Sequence, residues 1–234
     1  MRGKELYYKS HIGQDRWAAE IFGLKREGYF LEFGALDGIL TSNTYTLEKE
    51  LGWSGITVEA NPTYFPAVCR NRECITINAA LWPESREIVE MVDAHGLSSV
   101  IDYKDGDSMA SVRSEITKRK FKVDTLNPTE LLDRFQVPKY IEYLSLDIEG
   151  CELPVLKAMD LQKYKIALMT IEHSDNETRM YAVREFLKPF GYSVVRRLYD
   201  DWFFHEDHLK ALGSSGDPRE IHAKIEQTFE ILNT

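Results

Sequence analysis

Tyr29-Phe30-Leu31-Glu32-Phe33-Gly34-Ala35-Leu36-Asp37-Gly38, continued by Ile56-Thr57-Val58-Glu59-Ala60-Asn61-Pro62, is the stretch that decides the fold. Tyr29 to Phe33 reads as a strand that stops at Gly34. Between the two pieces, Asn43 to Leu51 has helical character and Gly52 ends it. Ile56 to Glu59 is a short β-branched strand that finishes in an acid. Strand, glycine turn, helix, strand and acid together form one βαβ unit. The acid falls about 20 residues after the glycine turn, a spacing that suits a carboxylate gripping ribose hydroxyls. The turn is not the G-x-G-x-x-G of dinucleotide binders. Taken alone, this segment predicts a nucleoside-binding α/β protein.

The alternation continues outward in both directions. Trp17, Ile21 and Leu24 have helical spacing and lead to the turn at Gly28. Pro62 is expected to open a helix with Asn61 as its N-cap. Ile75 to Ile77 is a third strand, and Ile88 to Val92 an additional one. Asn127-Pro128-Thr129-Glu130 has a capping-box pattern and starts a helix to Phe135. Tyr143 to Asp147 and Ile166 to Glu172 are buried-looking strands, with a helix over Leu153 to Met159 between them. A helix from Arg179 to Phe190 precedes late strands at Tyr192 to Val195 and Trp202 to Phe204. Their link, Arg196 to Asp201, is too short for a crossover helix, so this pair is expected to be antiparallel. The expected class is α/β: a mostly parallel seven-stranded sheet, helices on both faces and an antiparallel last strand.

The 234 residues suit one α/β domain, with an N-terminal helical segment (1–28), an insertion or lid (93–120) and a C-terminal helix (217–233). The insertion is polar and lacks periodicity, and such stretches often select substrate. Asp217-Pro218-Arg219-Glu220 opens the last helix, whose Ile221, Ile225, Phe229 and Leu232 share one face. That face packs on the domain or forms a homodimer contact.

Net charge is -9, which argues against nucleic acid as a partner, since phosphate binding needs clustered Lys and Arg. Three cysteines without metal-ligand spacing fit a reducing, cytoplasmic setting. The N-terminal residues have no apolar core of the signal-peptide kind, and no apolar run is long enough to span a membrane.

Ligands of parallel α/β sheets bind beyond the carboxyl ends of the strands. Those ends carry Gly34, Ala35 and Gly38 after the first strand, and Glu59 after the second. Asn78-Ala79-Ala80 follows the third strand, where Ala79 and Ala80 leave room for an adenine edge. The next two strands contribute Asp147, Glu149 and Gly150, then Glu172 and His173. His173 is the expected general base, with Asp147 orienting the acceptor beside Glu172 and Glu149 facing the substrate. Alternatively, Asp147, Glu149 and Glu172 hold Mg²⁺ or another divalent cation through oxygen ligands. His95, Ser98 and Ser99 of the insertion are further substrate contacts, and Ser10 to Asp15 is a segment that can close over the cofactor.

With these residues in view, the chain resembles the FkbM-type methyltransferases. The matching stretches are Gly28 to Gly38, Ser42-Asn43-Thr44 with Leu47-Glu48, Gly52-Trp53-Ser54-Gly55 leading to Glu59-Ala60-Asn61-Pro62, and Tyr143 to Leu153. The family's usual Gly-Ala-Asn/His-Asp-Gly is Gly-Ala-Leu-Asp-Gly here. The resemblance implies a class I methyltransferase fold, S-adenosylmethionine as cofactor and O-methylation, often of hydroxyls in sugars, glycans or glycosylated natural products. It places Glu32, Gly34, Ala35, Asp37, Gly38, Ser42, Asn43, Thr44, Glu59, Ala60 and Asn61 around the cofactor. Two other classes compete: a nucleotide-dependent oxidoreductase on the same architecture, and a non-catalytic interaction module that keeps the fold.

Overall fold

A computed structural model describes residues 6–94, 98, 100, 115 and 119–232, with side chains to residue 228. The chain opens with α1 (Gln14–Ile21), β1 (Tyr29–Phe33), α2 (Tyr45–Leu51), β2 (Ser54–Val58), α3 (Phe65–Asn71) and β3 (Ile75–Ile77). Three strands follow, β4 (Ala80–Leu81), β5 (Ile88–Val92) and β6 (Lys120–Leu126), and then α4 (Pro128–Arg134) and β7 (Tyr140–Leu146). The rest is α5 (Glu152–Ala158), β8 (Lys165–Glu172), α6 (Glu177–Leu187), β9 (Ser193–Arg197), β10 (Asp200–Phe204), α7 (Glu206–Ala211) and α8 (Pro218–Leu232).

Seven strands form one sheet in the order β3-β2-β1-β7-β8-β10-β9. The first five are parallel, and β10 runs antiparallel to both its neighbours. This is the expected mostly parallel seven-stranded α/β sheet with an antiparallel last strand. The chain steps outward from β1 to β3 and then returns to lay β7 on the other side of β1. The crevice at that reversal is where such sheets bind ligands.

Both faces of the sheet are covered, which is why β7 and β8 read as nearly continuous apolar runs. One face carries Leu31, Phe33, Ile56, Leu144, Leu146, Val155, Val183 and Leu187. The other carries Phe30, Tyr143, Leu168 and Phe204 against α1 and α8, and there Trp17 stacks on Trp202 at 4.8 Å between ring centroids. Each large apolar side chain so buried contributes about 1.5–3 kcal/mol. Ile221 and Ile225 of α8 are buried in this second cluster, so the described part of the helix face packs on the domain.

Several boundaries differ from the sequence reading, for local reasons. The helix expected at Pro62 begins at Phe65, because Asn61 Oδ1 accepts from Thr63 N at 2.9 Å and holds Pro62 to Tyr64 in a turn. Helix α1 ends at Ile21, and Leu24 lies exposed beyond it with φ 59°. The capping box before α4 is half realised: Asn127 Oδ1 accepts from Thr129 N and Glu130 N, but Asn127 N donates to Ser85 Oγ rather than to Glu130. The additional strand at Ile88 joins a second sheet, in the order β4-β6-β5. Its Ala80, Met91 and Val123 cluster with Val100 and Cys151 beside the crevice. Among the described residues, no helix is long and apolar enough to cross a membrane.

Candidate active site

Beyond the carboxyl ends of β1, β2 and β7 lies an open cavity of about 930 Å³, mouth included. The β1 end provides Glu32, Gly34 and Ala35, the β2 end Glu59 and Ala60, and the β7 end Asp147 and Glu149. Ala79 and Ala80 form another part of the wall.

Gly34 is the point where two of these ends meet. Its N–H donates to Val58 O at 2.9 Å, while Asp147 N donates to Phe33 O at 2.9 Å. Its φ is 91°, and a Cβ there would lie 1.7 Å from the Asp147 carbonyl oxygen. Only glycine lets the loop after β1 and the acidic loop after β7 touch in this way.

Glu59 is fixed by backbone. Its Oε2 accepts from Ala35 N (3.2 Å) and Leu36 N (2.8 Å), and its Oε1 from Asn61 N (2.7 Å). Burial pushes its pKa up, against these three hydrogen bonds. A carboxylate offers about four acceptor positions. With three taken, Glu59 has room for about one ribose hydroxyl rather than the two of a bidentate grip. Leu36 N–H is satisfied by Glu59, so the unusual apolar side chain leaves the loop's backbone paired.

Glu32 organises the next wall. Its Oε1 accepts from Ser42 Oγ (2.8 Å) and Asn43 N (2.9 Å), and its Oε2 from Thr44 Oγ1 (2.9 Å) and Arg72 Nη1 (2.6 Å). Arg72 Nε also donates to Glu48 Oε2 at 2.5 Å. Burial alone would raise the Glu48 pKa, but Arg72 and the Glu73 N–H hold it below the usual range. Ser42 and Asn43 line the cavity, and Thr44 stands behind them, fully buried. Asn43 Nδ2 donates to Ser145 Oγ at 2.9 Å. Its buried Oδ1 has no hydrogen-bond partner among the described residues. An unmatched acceptor in a cavity wall fits an ammonium or N–H of a bound ligand.

Other expected cofactor residues stand outside the cavity lining. Asp37 Oδ1 caps Ile39 N (2.8 Å) and Leu40 N (2.7 Å), and Gly38 packs close to Val68 and Arg72; neither lines the cavity. Asn61 also stands outside the lining. Its Nδ2 reaches Asp93 Oδ1 (2.8 Å) and Ser98 Oγ (3.3 Å), tying β2 to the start of the insertion. Ser98 does line the cavity, whereas His95 and Ser99 lie outside the described residues. Ser10 pairs with Thr41, a lining residue, so the N-terminal segment runs along the rim.

Asp147, Glu149 and Glu172 present one carboxylate oxygen each, all within 4.8 Å of one another. Burial and then the neighbouring Glu172 push the Asp147 pKa well above the usual carboxylate range. Asp147 and Glu149 line the cavity; Glu172 and His173 do not. His173 is buried, its Nε2 lies 3.9 Å from Asp201 Oδ1, and burial lowers its pKa.

Sequence reasoning missed Arg72, which reads as an ordinary charge at a helix end although it pairs with Glu32 forty residues earlier. It also missed the apolar wall of Leu40, Met91, Val100, Ile148 and Cys151. No periodicity marks these positions.

The family model for the "Methyltransferase FkbM domain" matches residues 32–194, more than half of the chain. The chain belongs to this family and is an S-adenosylmethionine-dependent methyltransferase. The competing oxidoreductase and non-catalytic readings are thereby set aside. A comparison with curated proteins returns no match. Among solved structures, the chain is similar to precorrin-6y C5,15-methyltransferase from Geobacter metallireducens GS-15, at 13% identity over 87% of this chain and 90% of that one, TM-score 0.43. It is similar to a human methyltransferase 10 domain containing protein, at 11% identity over 82% and 79%, TM-score 0.42. TrmK from M. capricolum, solved with S-adenosyl-homocysteine, is 11% identical over 80% and 65%, TM-score 0.36. At these scores the likenesses carry no argument about substrate.

Proposed function

We propose that the protein is an O-methyltransferase acting on a hydroxyl of a sugar, glycan or glycosylated natural product. The observation that carries this reading is the group of three carboxylates, Asp147, Glu149 and Glu172, at the edge of the cofactor cavity. A hydroxyl becomes an adequate nucleophile only as its proton leaves, so an O-methyltransferase needs a base beside the acceptor.

S-adenosylmethionine supplies an electrophilic methyl on a sulfonium. Glu59 anchors the loop that cradles it, and Asn43 offers the free buried acceptor. Burial and the neighbouring Glu172 raise the Asp147 pKa, and Asp147 would serve as the base in its ionised form. Asp147, in the cavity lining, would take the proton of the acceptor hydroxyl. Asp147 lines the cavity and His173 does not, which supports Asp147 rather than His173 in this role.

A second reading rests on the same three oxygens. Oxygens bound to one hard cation at about 2.0–2.6 Å lie within roughly 5 Å of each other. The spacing of Asp147, Glu149 and Glu172 meets that condition. A Mg²⁺- or Ca²⁺-sized cation there would acidify a coordinated hydroxyl.

The test is transfer of a labelled methyl group to pools of glycosides, lipids and peptides, before and after exhaustive chelation. Label in alkali-stable ethers of glycosides is the expected result. Label confined to nitrogen or carbon acceptors refutes the reading, and activity unchanged by chelation refutes the cation.

A further inference from the structure

The hairpin joining β9 and β10 turns through two residues, Leu198 and Tyr199, with Arg197 and Asp200 as its last cross-strand pair. Two-residue hairpins favour Gly or Asn where φ must be positive. Here Leu198 takes φ 49°, and both tip residues are exposed, Leu198 at 53% and Tyr199 at 43%. A strained backbone and two apolar side chains in water both cost stability. Such strain clusters where a site makes use of it.

The tip stands at the acidic end of the sheet. Asp200 pairs across the strands with Glu172, and Tyr199 O accepts from His173 N at 2.8 Å. The N-terminal segment meets it there. Gln14 Nε2 donates to Asp200 Oδ2 at 2.9 Å, and Ser10 pairs with Thr41 of the cavity wall. Between these anchors His11, also exposed, lies nearly parallel to the Tyr199 ring, at 15° and 6.4 Å between centroids. Leu40, 61% exposed, follows the cavity loop up to Thr41. His11 and Tyr199 thus sit on two segments that run from the cavity rim at Thr41 to Asp200, the cross-strand neighbour of Glu172.

That pairing of surfaces suits a ligand with an apolar ring face and hydroxyls on its edge. Aromatic rings pack against the C–H face, while carboxylates accept from the hydroxyls. We propose that His11 and Tyr199 form the platform on which the acceptor's sugar ring lies, with Leu198 extending it, and that these residues set acceptor specificity. This rests on the O-methylation reading above and adds residues that neither the family match nor the cavity assigns.

The experiment uses the full chain with S-adenosylhomocysteine and a pool of methyl hexopyranosides. Saturation-transfer NMR reports glycoside binding, titration calorimetry reports cofactor-product binding, and labelled transfer reports activity. In Tyr199→Ala and His11→Ala, glycoside affinity is expected to fall about tenfold each, with cofactor-product binding unchanged. Leu198→Gly relieves the strained turn, so it is expected to raise Tm while weakening glycoside binding. A purely structural turn would raise Tm and leave binding alone. Glycoside binding that persists in the His11/Tyr199 double variant overturns the platform and leaves O-methylation standing. Transfer to a non-hydroxyl acceptor that still falls in the variants keeps the platform and refutes the sugar. No binding of any pooled glycoside by the unmodified protein overturns the sugar assignment.

Discussion

Arg72 and Glu32 form a buried ion pair at 2.6 Å that joins the end of α3 to the carboxyl end of β1, and the loop forming one wall of the cavity hangs from it. Both side chains are at most 1% exposed. A buried pair of this kind adds little net stability but specifies geometry, and breaking it leaves an uncompensated charge. Arg72→Met is therefore expected to lower the unfolding free energy by about 3–5 kcal/mol, measured in denaturant. Arg72→Lys should recover little of it, because the guanidinium serves Glu32, Glu48 and Thr44 at once.

Glu59→Gln separates binding from folding. The amide keeps one acceptor oxygen but places an N–H₂ where a backbone N–H now donates. S-adenosylhomocysteine affinity is expected to fall by about 10–100-fold, the worth of a charge-assisted hydrogen bond. Calorimetry should register this while Tm moves by only a few degrees. Undiminished affinity would remove Glu59 from the cofactor site.

Gly34→Ala puts a methyl group into the Asp147 carbonyl. The expected cost is about 3 kcal/mol or more, the upper range for overpacking, with loss of both cofactor binding and turnover. The mirror test is Gly52→Ala, where a Cβ has open space and the strain is confined to the left-handed backbone. Thermal melts of the two variants should differ clearly.

Asp147→Asn keeps shape and hydrogen-bonding size but removes the base. Turnover should drop by about 10²–10⁴-fold, the usual worth of general base catalysis, with little change in S-adenosylhomocysteine affinity. His173→Ala should retain most of its kcat. The opposite ranking would return the proton-taking role to His173.

Asp200 is lifted by burial, then by nearby Glu172 and Asp201, to a pKa of about 7 against Gln14's opposing hydrogen bond. A carboxyl group raised in the folded state binds protons that the unfolded chain has released. Its contribution to stability is therefore full below the unfolded value of 3.8 and is lost as pH rises through about 7. The stability difference between Asp200→Asn and the unmodified protein should shift in the variant's favour across that window and level off above it. Melting curves from pH 4 to 8 check the sign, and a flat difference would refute it.

Most of the architecture was legible in the sequence because its signals are local. β1 stands at Tyr29–Phe33 as read, and β3 and β5 match as well. Apolar runs bounded by glycine and proline suffice for such elements. The antiparallel pair β9–β10 followed from the length of one loop. What escaped was non-local. Nothing near Arg72 announces Glu32, and nothing near Leu40 announces that it shares a cavity lining with Met91, since both placements depend on the finished crevice. Glu59 illustrates a partial success. Its place at the β2 end was readable from spacing, but the three backbone donors that occupy most of its acceptor capacity were not. Asp37 and Gly38 belong to the same lesson: their loop-shaping contacts to Ile39, Leu40, Val68 and Arg72 have no local sequence signal.

The contact between Gly34 and the Asp147 carbonyl has a thermodynamic consequence. The two loops share one seam with no side chain between them, so neither can shift without the other. A ligand that tightens one loop then biases the other, and coupling between two binding equilibria is reciprocal by necessity. Whatever factor the cofactor lends to acceptor affinity, the acceptor must return to the cofactor. Order of addition would then affect the rate of assembly but never the final stability of the ternary complex.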